Sequence, residues 1–210
     1  MKTLILDFIG VIADIDYKKM LSSMTLKQKF SALRIYASRK KFPVINYVFD
    51  AYQQGFINIK TLEELIKKDL PNSAYVMPLI FKNLQNNIIV NQNVLTKALK
   101  LKSCGVQLLL MSNSTPETEY VMEDHNLQDI FDGLILSTQI GYMKPQKNIY
   151  EHAISKYNLD VDQTVMIDDR AKNLKGAREC GISTIRCKNS RETCEVLNSF
   201  IDDLKIEHQY

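Results

Sequence analysis

Short apolar runs alternate with amphipathic stretches along most of the chain. The first run, TLILDF at Thr3–Phe8, is almost entirely apolar, which is typical of a strand buried on both faces of a parallel sheet. Four similar runs predict further strands, at Val106–Met111, Leu134–Leu136, Val165–Ile167 and Thr184–Cys187. The pattern therefore indicates a sheet whose strands are separated by crossover segments.

The crossover segments carry helical patterns. We predict helices at 93–104, 146–157, 171–180 and 192–204. Gly105 and Gly181 directly follow two of them, where a left-handed glycine commonly ends a helix. The sequence Ser114-Thr-Pro-Glu117 fits a capping box at a helix start. Strands that alternate with helices predict a layered α/β fold.

The stretch from Asp16 to Ile89 breaks this alternation. It contains helical patterns at 25–41, 44–53, 61–70 and 75–84 and no convincing strand. We therefore predict a core of residues 1–15 and 90–210, with a helical cap domain at 16–89 inserted after the first strand. The two crossings, near 14–16 and 88–91, would be its hinges.

Part of the predicted cap is strongly basic. Residues 17–49 hold eight Lys or Arg and no Asp or Glu. A solvated helix face is the first interpretation of such a segment, and attraction of an anionic ligand is the second. Its aromatic residues are predicted to belong to the helix core: Phe30, Tyr36, Phe42, Tyr47 and Phe49.

Composition narrows the possible classes of protein. The 210 residues, 45% hydrophobic and 24% charged, are enough to bury a core, which argues against disorder. A net charge of +3 is too small to indicate nucleic-acid binding by itself. Neither common glycine-rich nucleotide loop is present, and the four Cys form no C-x-x-C pair. Asp7 interrupts the apolar start, so we expect a cytoplasmic protein with no membrane partner.

Polar side chains follow the predicted strands, where each strand ends. They are Asp7, Ser112 with Asn113, Lys144 in a loop after the third strand, and the pair Asp168-Asp169. The carboxyl ends of parallel strands form the ligand crevice of an open sheet, so we expect these groups to converge. Three carboxylates need a cation, and their hard oxygens suit Mg²⁺. The lysine and hydroxyl suit a phosphate.

The chain resembles the haloacid-dehalogenase superfamily, in the branch of phosphatases with a helical cap. The resemblance lies in LILDFIGVI, LMSNS, GYMKPQKNIY and VMIDDRAKNLKGARECGI. It implies a Rossmann-like, three-layer α/β core with a central parallel sheet and an inserted helical-bundle cap. The phrase DFIGVIADID is most similar to the subgroup of alpha-glucose-1-phosphate phosphatase and the phosphatase domain of soluble epoxide hydrolase.

The resemblance also implies a role for each matching residue. Asp7 would be the nucleophile that forms an aspartyl-phosphate, and Lys144 would bridge it to the phosphate. Ser112 and the backbone of Asn113 would hold the phosphoryl group. The metal ligands would be Asp7, the backbone oxygen of Ile9, Asp168 and Asp169. Asn173 would support their loop.

One position departs from the family pattern. Most phosphatases of this family carry a second Asp, a general acid, where this chain has Ile9. The substrate could have a good leaving group, another acid such as Asp14 or Asp16 could serve, or the protein could be a weak relative that binds a phosphorylated ligand or partner. The Asp168-Asp169 pair argues against dehalogenation, and no cap lysine has a setting typical of phosphonate hydrolases.

We therefore expect Mg²⁺-dependent hydrolysis of a small phosphate monoester, sugar-phosphate-like or with a good leaving group. The expected partner is a small phosphorylated molecule, and the protein would be a monomer or homodimer. The alternative is a catalytically weak or inactive protein that binds a phosphorylated ligand, because Ile9 replaces the acid.

Overall fold

The fold is an α/β sandwich with a helical segment inserted after the first strand. A computed structural model describes residues 1–207 and the side chains of residues 1–203. Its strands are β1 (Thr3–Leu6), β2 (Ala13–Ile15), β3 (Ile88–Val90), β4 (Gln107–Ser112), β5 (Gly133–Leu136), β6 (Thr164–Asp168) and β7 (Ser183–Arg186). Its α-helices are α1 (Tyr17–Ser22), α2 (Leu26–Ser38), α3 (Val44–Gln53), α4 (Ile59–Asp69), α5 (Met77–Gln85), α6 (Gln92–Ser103), α7 (Pro116–Asp124), α8 (Leu127–Ile130), α9 (Ser137–Ile140), α10 (Lys147–Tyr157), α11 (Ala171–Glu179) and α12 (Ser190–Glu207).

Five strands form the central sheet, in the order β5-β4-β1-β6-β7, and every neighbouring pair is parallel. Successive side chains of a strand point to opposite faces, so Leu4 and Leu6 pack on one side of the sheet and Ile5 on the other. Helices α6, α7, α8 and α12 cover the first face, and α10 and α11 cover the second. The predicted three-layer fold is confirmed.

The order of the strands places a crevice above β1. From β1 the chain adds β4 and β5 on one side of the sheet, then returns to add β6 and β7 on the other. Such a reversal of strand order opens a crevice at the carboxyl ends of the strands.

Both glycines predicted to end helices have a left-handed backbone, with φ of +87° at Gly105 and +84° at Gly181.

The inserted helices α1–α5 have a hydrophobic core of their own. Its members include Ile45, Tyr52, Leu62, Ile66 and Phe81, and the rings of Tyr52 and Phe81 meet edge to face with centroids 4.8 Å apart. Among the described residues, no helix is long and apolar enough to cross a membrane.

The prediction that the basic segment's aromatic residues belong to the helix core is wrong for three of the five. Phe30, Tyr36 and Tyr47 are exposed, whereas Phe42 and Phe49 pack against the core of the insert. Hydrophobic identity alone does not tell which side of an amphipathic helix faces inward.

The prediction of simple hinges without strands is also wrong. Strand β2 pairs antiparallel with β3, with Ala13 opposite Val90 and Ile15 opposite Ile88. This ribbon carries the chain out to the insert and back. The apolar run at Ile88–Val90 is only three residues long, too short to separate from the helical pattern before it. The division at 1–15, 16–89 and 90–210 stays a prediction, and residues 208–210 lie outside the described part.

The predicted capping box begins one residue too early. Helix α7 is capped by Thr115, whose side chain accepts from the backbone N–H of Thr118, while the Thr118 hydroxyl accepts from the Thr115 N–H. Ser114 is not available because it hydrogen-bonds Ser137 and Thr138 instead. Competition from these tertiary partners decides which residue becomes the cap.

The end of α3 holds the insert against the core. Gln54 donates to the carbonyl of Gly141 over 2.7 Å, and the buried Tyr52 hydroxyl donates to both carboxylate oxygens of Glu117, at 2.8 and 2.9 Å. Gly55 has a left-handed φ of +75°, and a Cβ there would overlap the carbonyl oxygen of Thr138. The backbone of the insert therefore lies directly on the backbone of the core.

We expect Gly55→Ala to lower the free energy of unfolding more than Gly105→Ala. Both glycines have a left-handed φ, which costs an alanine about 1–2 kcal/mol. Only Gly55→Ala adds an overlap, worth a further ~1–3 kcal/mol, because nothing lies within 4 Å of a Cβ at Gly105. Urea unfolding measures the stability of both variants. Equal losses of the free energy of unfolding would show that the backbone at Gly55 shifts to accommodate the Cβ without cost.

Candidate active site

The carboxyl ends of three adjacent strands bring the predicted polar groups together. Asp7 follows β1 directly, Asp168 is the last residue of β6, and Ser112 is the last residue of β4. Because Leu6 pairs with Ile167 and with Leu110, Asp7 lies next to Asp168 on one side and next to Met111, the residue before Ser112, on the other. All three are buried, with Asp168 fully inaccessible.

Lys144 links two of these carboxylates. Its ammonium lies 2.8 Å from Asp7 Oδ1 and 2.7 Å from Asp168 Oδ2, and it donates a third hydrogen bond to the carbonyl of Met111 over 2.8 Å. The side chain is completely buried. A buried charge is tolerated only when it is paired and hydrogen-bonded, and here all three donors of the ammonium have a partner.

Asp168 is held rigidly by its neighbours. The Asn173 side-chain amide donates to both of its carboxylate oxygens at 3.0 Å, and the backbone N–H of Arg170 donates to Oδ1 over 2.8 Å. Asn173 is fixed in turn, since Tyr150 donates its hydroxyl hydrogen to the Asn173 carbonyl over 2.7 Å. The resemblance suggested Asn173, but no sequence signal pointed to Tyr150.

Asp169 completes an acidic cluster that fits a divalent cation. One carboxylate oxygen each from Asp7, Asp168 and Asp169 lies within 4.8 Å of the others. Asp169 Oδ1 is buried without a hydrogen-bond partner, because Arg170 Nε stays 3.9 Å away. An oxygen of this kind is a suitable metal ligand. Gly10 allows the arrangement, since a Cβ there would lie 2.9 Å from Asp169 Cγ.

The electrostatics of the cluster also fit a cation. Burial raises the pKa of Asp7 to about 7, with Asp168 adding to the rise and Lys144 opposing it. Burial likewise raises the pKa of Asp169. For Asp168, burial alone would raise the pKa, but Lys144 and the hydrogen bonds outweigh it and lower the value. Because the raised pKa of Asp7 comes mainly from burial, a bound cation, which adds positive charge, would favour its ionised form.

Lys144 stays protonated in this setting. Burial alone would lower its pKa, yet the carboxylates of Asp7 and Asp168 outweigh burial and raise it. Three ionised carboxylates and one ammonium carry a formal charge of −2, which a single divalent cation neutralises. Both the oxygen donors of the cluster and its net charge therefore fit a divalent cation.

Two other predicted residues lie beside this cluster. The Asn113 side-chain amide donates to the Lys144 carbonyl over 2.8 Å, and its oxygen accepts from the Lys144 N–H over 2.7 Å. This clasp ties the end of β4 to the lysine loop, a role of the side chain that sequence reasoning missed. Ile9 packs partly buried in a turn that is closed by hydrogen bonds from the backbone N–H groups of Ile12 and Ala13 to the Phe8 carbonyl, each over 2.9 Å.

The two carboxyl groups considered as replacement acids have other hydrogen-bond partners. Asp14 accepts from the Ser190 hydroxyl over 2.5 Å, and Asp16 accepts from the backbone N–H of Lys19 at the start of α1. Both contacts are structural.

Comparison with known proteins identifies one family. The model for haloacid dehalogenase-like hydrolases matches residues 1–181. The sesquiterpene phosphatase astK of Aspergillus oryzae is 29% identical over 103 residues, which cover 49% of this chain and 53% of that protein. The D-ribitol-5-phosphate phosphatase of Bacteroides thetaiotaomicron is 30% identical over 101 residues, covering 43% and 49%. The matches thus span about half the length of each relative.

The fold agrees with a solved structure. A magnesium complex of the HAD family enzyme BT-2542 from Bacteroides thetaiotaomicron superposes with a TM-score of 0.68 at 22% identity. The similarity covers 90% of this chain and 93% of that enzyme. It extends over the insert as well as the core.

Proposed function

Because this chain belongs to the haloacid dehalogenase-like hydrolases, we propose that it is a Mg²⁺-dependent phosphatase that works through an aspartyl-phosphate at Asp7. The substrate would be a small phosphate monoester, sugar-phosphate-like or with a good leaving group. The observation that supports this most directly is the buried ammonium of Lys144, within 2.8 Å of Asp7 and 2.7 Å of Asp168, beside a third carboxylate.

Asp7 would act as the nucleophile. Its Oδ1 already accepts hydrogen bonds from Lys144 and from the backbone N–H of Phe8, the latter over 2.7 Å. We therefore assign the attack to Oδ2. An Oδ2–P bond forms while the bond from phosphorus to the leaving oxygen breaks, and the leaving oxygen takes a proton from solvent. Water then attacks phosphorus, the Oδ2–P bond breaks, and inorganic phosphate and the Asp7 carboxylate are released.

Other residues would bind and orient the phosphoryl group. Ser112, with its side chain at the end of β4, and the backbone N–H of Asn113 would donate to its oxygens. Lys144 would balance the charge that builds up on them. Asp7, Asp168, Asp169 and the Ile9 carbonyl would hold Mg²⁺, which supplies positive charge to the phosphoryl oxygens when bound. Asn173 would keep Asp168 in position.

Ile9 limits which leaving groups the site can expel. It cannot donate a proton, and general acid catalysis is worth roughly 10²–10⁴-fold. Asp14 and Asp16 are occupied by structural hydrogen bonds, so neither is a ready substitute. An acyl, aryl or anomeric sugar phosphate needs little acid assistance, and we propose this substrate class.

Phosphate release from three compounds tests the proposal. With Mg²⁺ present, we expect release from acetyl phosphate, para-nitrophenyl phosphate and glucose 1-phosphate, and little from an alkyl phosphate such as glycerol 3-phosphate. A chelator should abolish all of it. Release that survives chelation, or release that is fastest from the alkyl phosphate, would contradict the proposal.

We expect Ile9→Asp to raise turnover of glycerol 3-phosphate by about 10²-fold, the lower end of the contribution of a general acid. Turnover of acetyl phosphate should change little, because its leaving group needs no proton. Ile9→Asn is the matched control, since it introduces a polar side chain of similar size that cannot donate in the same way. Equal effects of the two variants would exclude acid catalysis as the missing function.

We expect Mg²⁺ to bind more tightly as pH rises from 6 to 8. The pKa of Asp7 is raised to about 7 in the metal-free protein, so below that pH a proton must leave before the carboxylate can bind the ion. The affinity should therefore fall about tenfold per pH unit below 7 and level off above it. Isothermal titration calorimetry in buffers of different ionisation heat would measure both the affinity and the released proton. A flat profile would show that Asp7 releases no proton when the ion binds.

Ile9 also favours a second candidate function. A protein without a general acid could bind a phosphorylated ligand and release it with little turnover. In that case, inorganic phosphate should bind in the presence of Mg²⁺ while all three test compounds remain intact. Hydrolysis of any of them that depends on Asp7 would exclude this alternative.

A further inference from the structure

Helix α2 exposes a continuous apolar stripe. Leu26, Phe30 and Leu33 are 73%, 69% and 61% exposed, and Ala37 is exposed one turn further on. At 100° per residue these four positions fall within about 60° of arc, on a single line along the helix. The opposite side carries Ser31 and Ile35, which are buried in the insert. The helix is therefore apolar on its outer side as well as its inner side, which an ordinary surface helix is not.

Cations flank this stripe on both sides. Lys27 and Arg34 lie along one border of the stripe and Lys29 along the other, and Lys40 and Lys41 follow in the turn after the helix. No ion pair among the described residues includes any of them. The eight positive charges of residues 17–49, within a whole-chain net of +3, leave the rest of the chain at −5. The positive charge of the protein is thus concentrated in the segment that contains α2.

We propose that this face of α2, the stripe with its flanking cations, binds the surface of an anionic lipid bilayer. Leu26, Phe30 and Leu33 would enter the boundary between headgroups and acyl chains, and the cations would contact lipid phosphates. Helices that lie in membrane interfaces combine these two features. The inference is independent of the proposed phosphatase activity, and it is an alternative to the expectation of a solvated face and no membrane partner.

The neighbouring surface supports a lipid as the occupant. A depression of about 600 Å³ lies between α2 and the start of α3, lined by Leu33, Tyr36, Ala37, Arg39, Lys40 and Asn46. It offers cations for a headgroup beside apolar walls. Tyr36 and Tyr47 are each 72% exposed, and tyrosines of this kind are frequent at membrane–water interfaces.

A second copy of the chain fits the same face poorly. A two-fold contact would place the basic borders of both copies against each other, with no carboxylate in residues 17–49 to offset the repulsion. An anionic membrane surface attracts these cations instead of repelling them, since each lysine or arginine near it adds to binding.

Vesicle sedimentation tests the proposal on the whole protein. We expect binding to vesicles of phosphatidylcholine with phosphatidylserine, no binding to phosphatidylcholine alone, and loss of binding in high salt. Phe30→Ser with Leu33→Ser should lower the partition coefficient at least about tenfold, because each buried apolar side chain contributes strongly to transfer. Lys27→Glu with Arg34→Glu should do the same. The control, Lys67→Glu with Lys68→Glu on α4, changes as much charge away from the stripe and should keep most of the binding.

Fluorescence gives a second test, because the chain contains no Trp. Phe30→Trp should shift its emission to the blue on anionic vesicles and be quenched by brominated lipid. Tyr120→Trp on α7, where the side chain is 56% exposed, should show neither effect.

Four results would overturn the proposal. They are a wild-type protein that does not bind anionic vesicles, binding that is indifferent to Phe30 and Leu33, and a Trp at position 30 that stays in water. The fourth is a wild-type protein that forms a dimer and does not bind vesicles, and whose Phe30→Ser/Leu33→Ser variant is monomeric. That result would assign the stripe to a second copy of the chain. Thermal unfolding of each variant shows that the fold is retained.

Discussion

Asp7→Asn should abolish Mg²⁺-dependent phosphate release. We expect turnover to fall by at least ~10⁴-fold, as is typical when an enzyme loses its nucleophile. The amide keeps the size of the carboxyl but is not a nucleophile. It also removes a negative charge from the oxygen that Lys144 contacts at 2.8 Å. Phosphate release from para-nitrophenyl phosphate at saturating Mg²⁺ measures the effect.

The same substitution should not unfold the protein. In the absence of metal, Asp7 is close to half protonated near pH 7, so a neutral amide replaces a group that is already partly neutral. We therefore expect the urea midpoint in chelator to change little. Asp14→Asn is a suitable activity control, because that carboxyl bonds Ser190 away from the cluster. Undiminished hydrolysis by Asp7→Asn would refute the aspartyl-phosphate mechanism.

Lys144→Met should be the most destabilising single substitution in the site. It leaves Asp7 and Asp168 buried without their shared cation, and removing one partner of a buried ion pair costs about 3–5 kcal/mol. Because Mg²⁺ supplies positive charge at the same carboxylates, it should restore part of the lost free energy of unfolding. Urea unfolding with chelator and with Mg²⁺ would show both effects, and activity should be lost under either condition.

Lys147→Met is the matched control. Lys147 makes an exposed ion pair with Glu151 one turn further along α10, at 2.5 Å, and such pairs contribute little to stability. If both methionine variants unfold at the same urea concentration, the bridge at Lys144 is not a stabilising feature of the fold.

The sequence was sufficient to predict that Asp7 and Asp168 lie together at the ends of parallel strands. Asp7 and Asp168 could be located because each follows a run of apolar residues that can only be a buried strand. Parallel strands then bring their carboxyl ends together, whatever the detailed packing. Lys144 lies in a loop after a predicted strand, and only the resemblance to a known family implied that it bridges to Asp7.

Individual side-chain contacts between distant segments outside the acidic cluster could not be predicted. The clasp between Asn113 and Lys144, and the bonds of Tyr52 with Glu117, join residues separated by 31 and 65 positions. No local preference encodes such pairs. The same is true of the exposed stripe on α2, since Phe30 and Ile35 are equally hydrophobic and only the packing of the neighbouring helices decides which is buried.

The antiparallel pairing of β2 with β3 has a consequence for how the chain can vary. Ala13 faces Val90, so the polypeptide leaves the sandwich and returns to it through adjacent positions. The length of the segment between β2 and β3 therefore does not affect how the strands of the central sheet pair. The entropy of closing a loop grows only slowly with its length, so the ribbon can accept inserts of different size at little cost to the sheet. In evolutionary terms, the ribbon is a site at which the inserted segment can be replaced while the groups at the strand ends are retained.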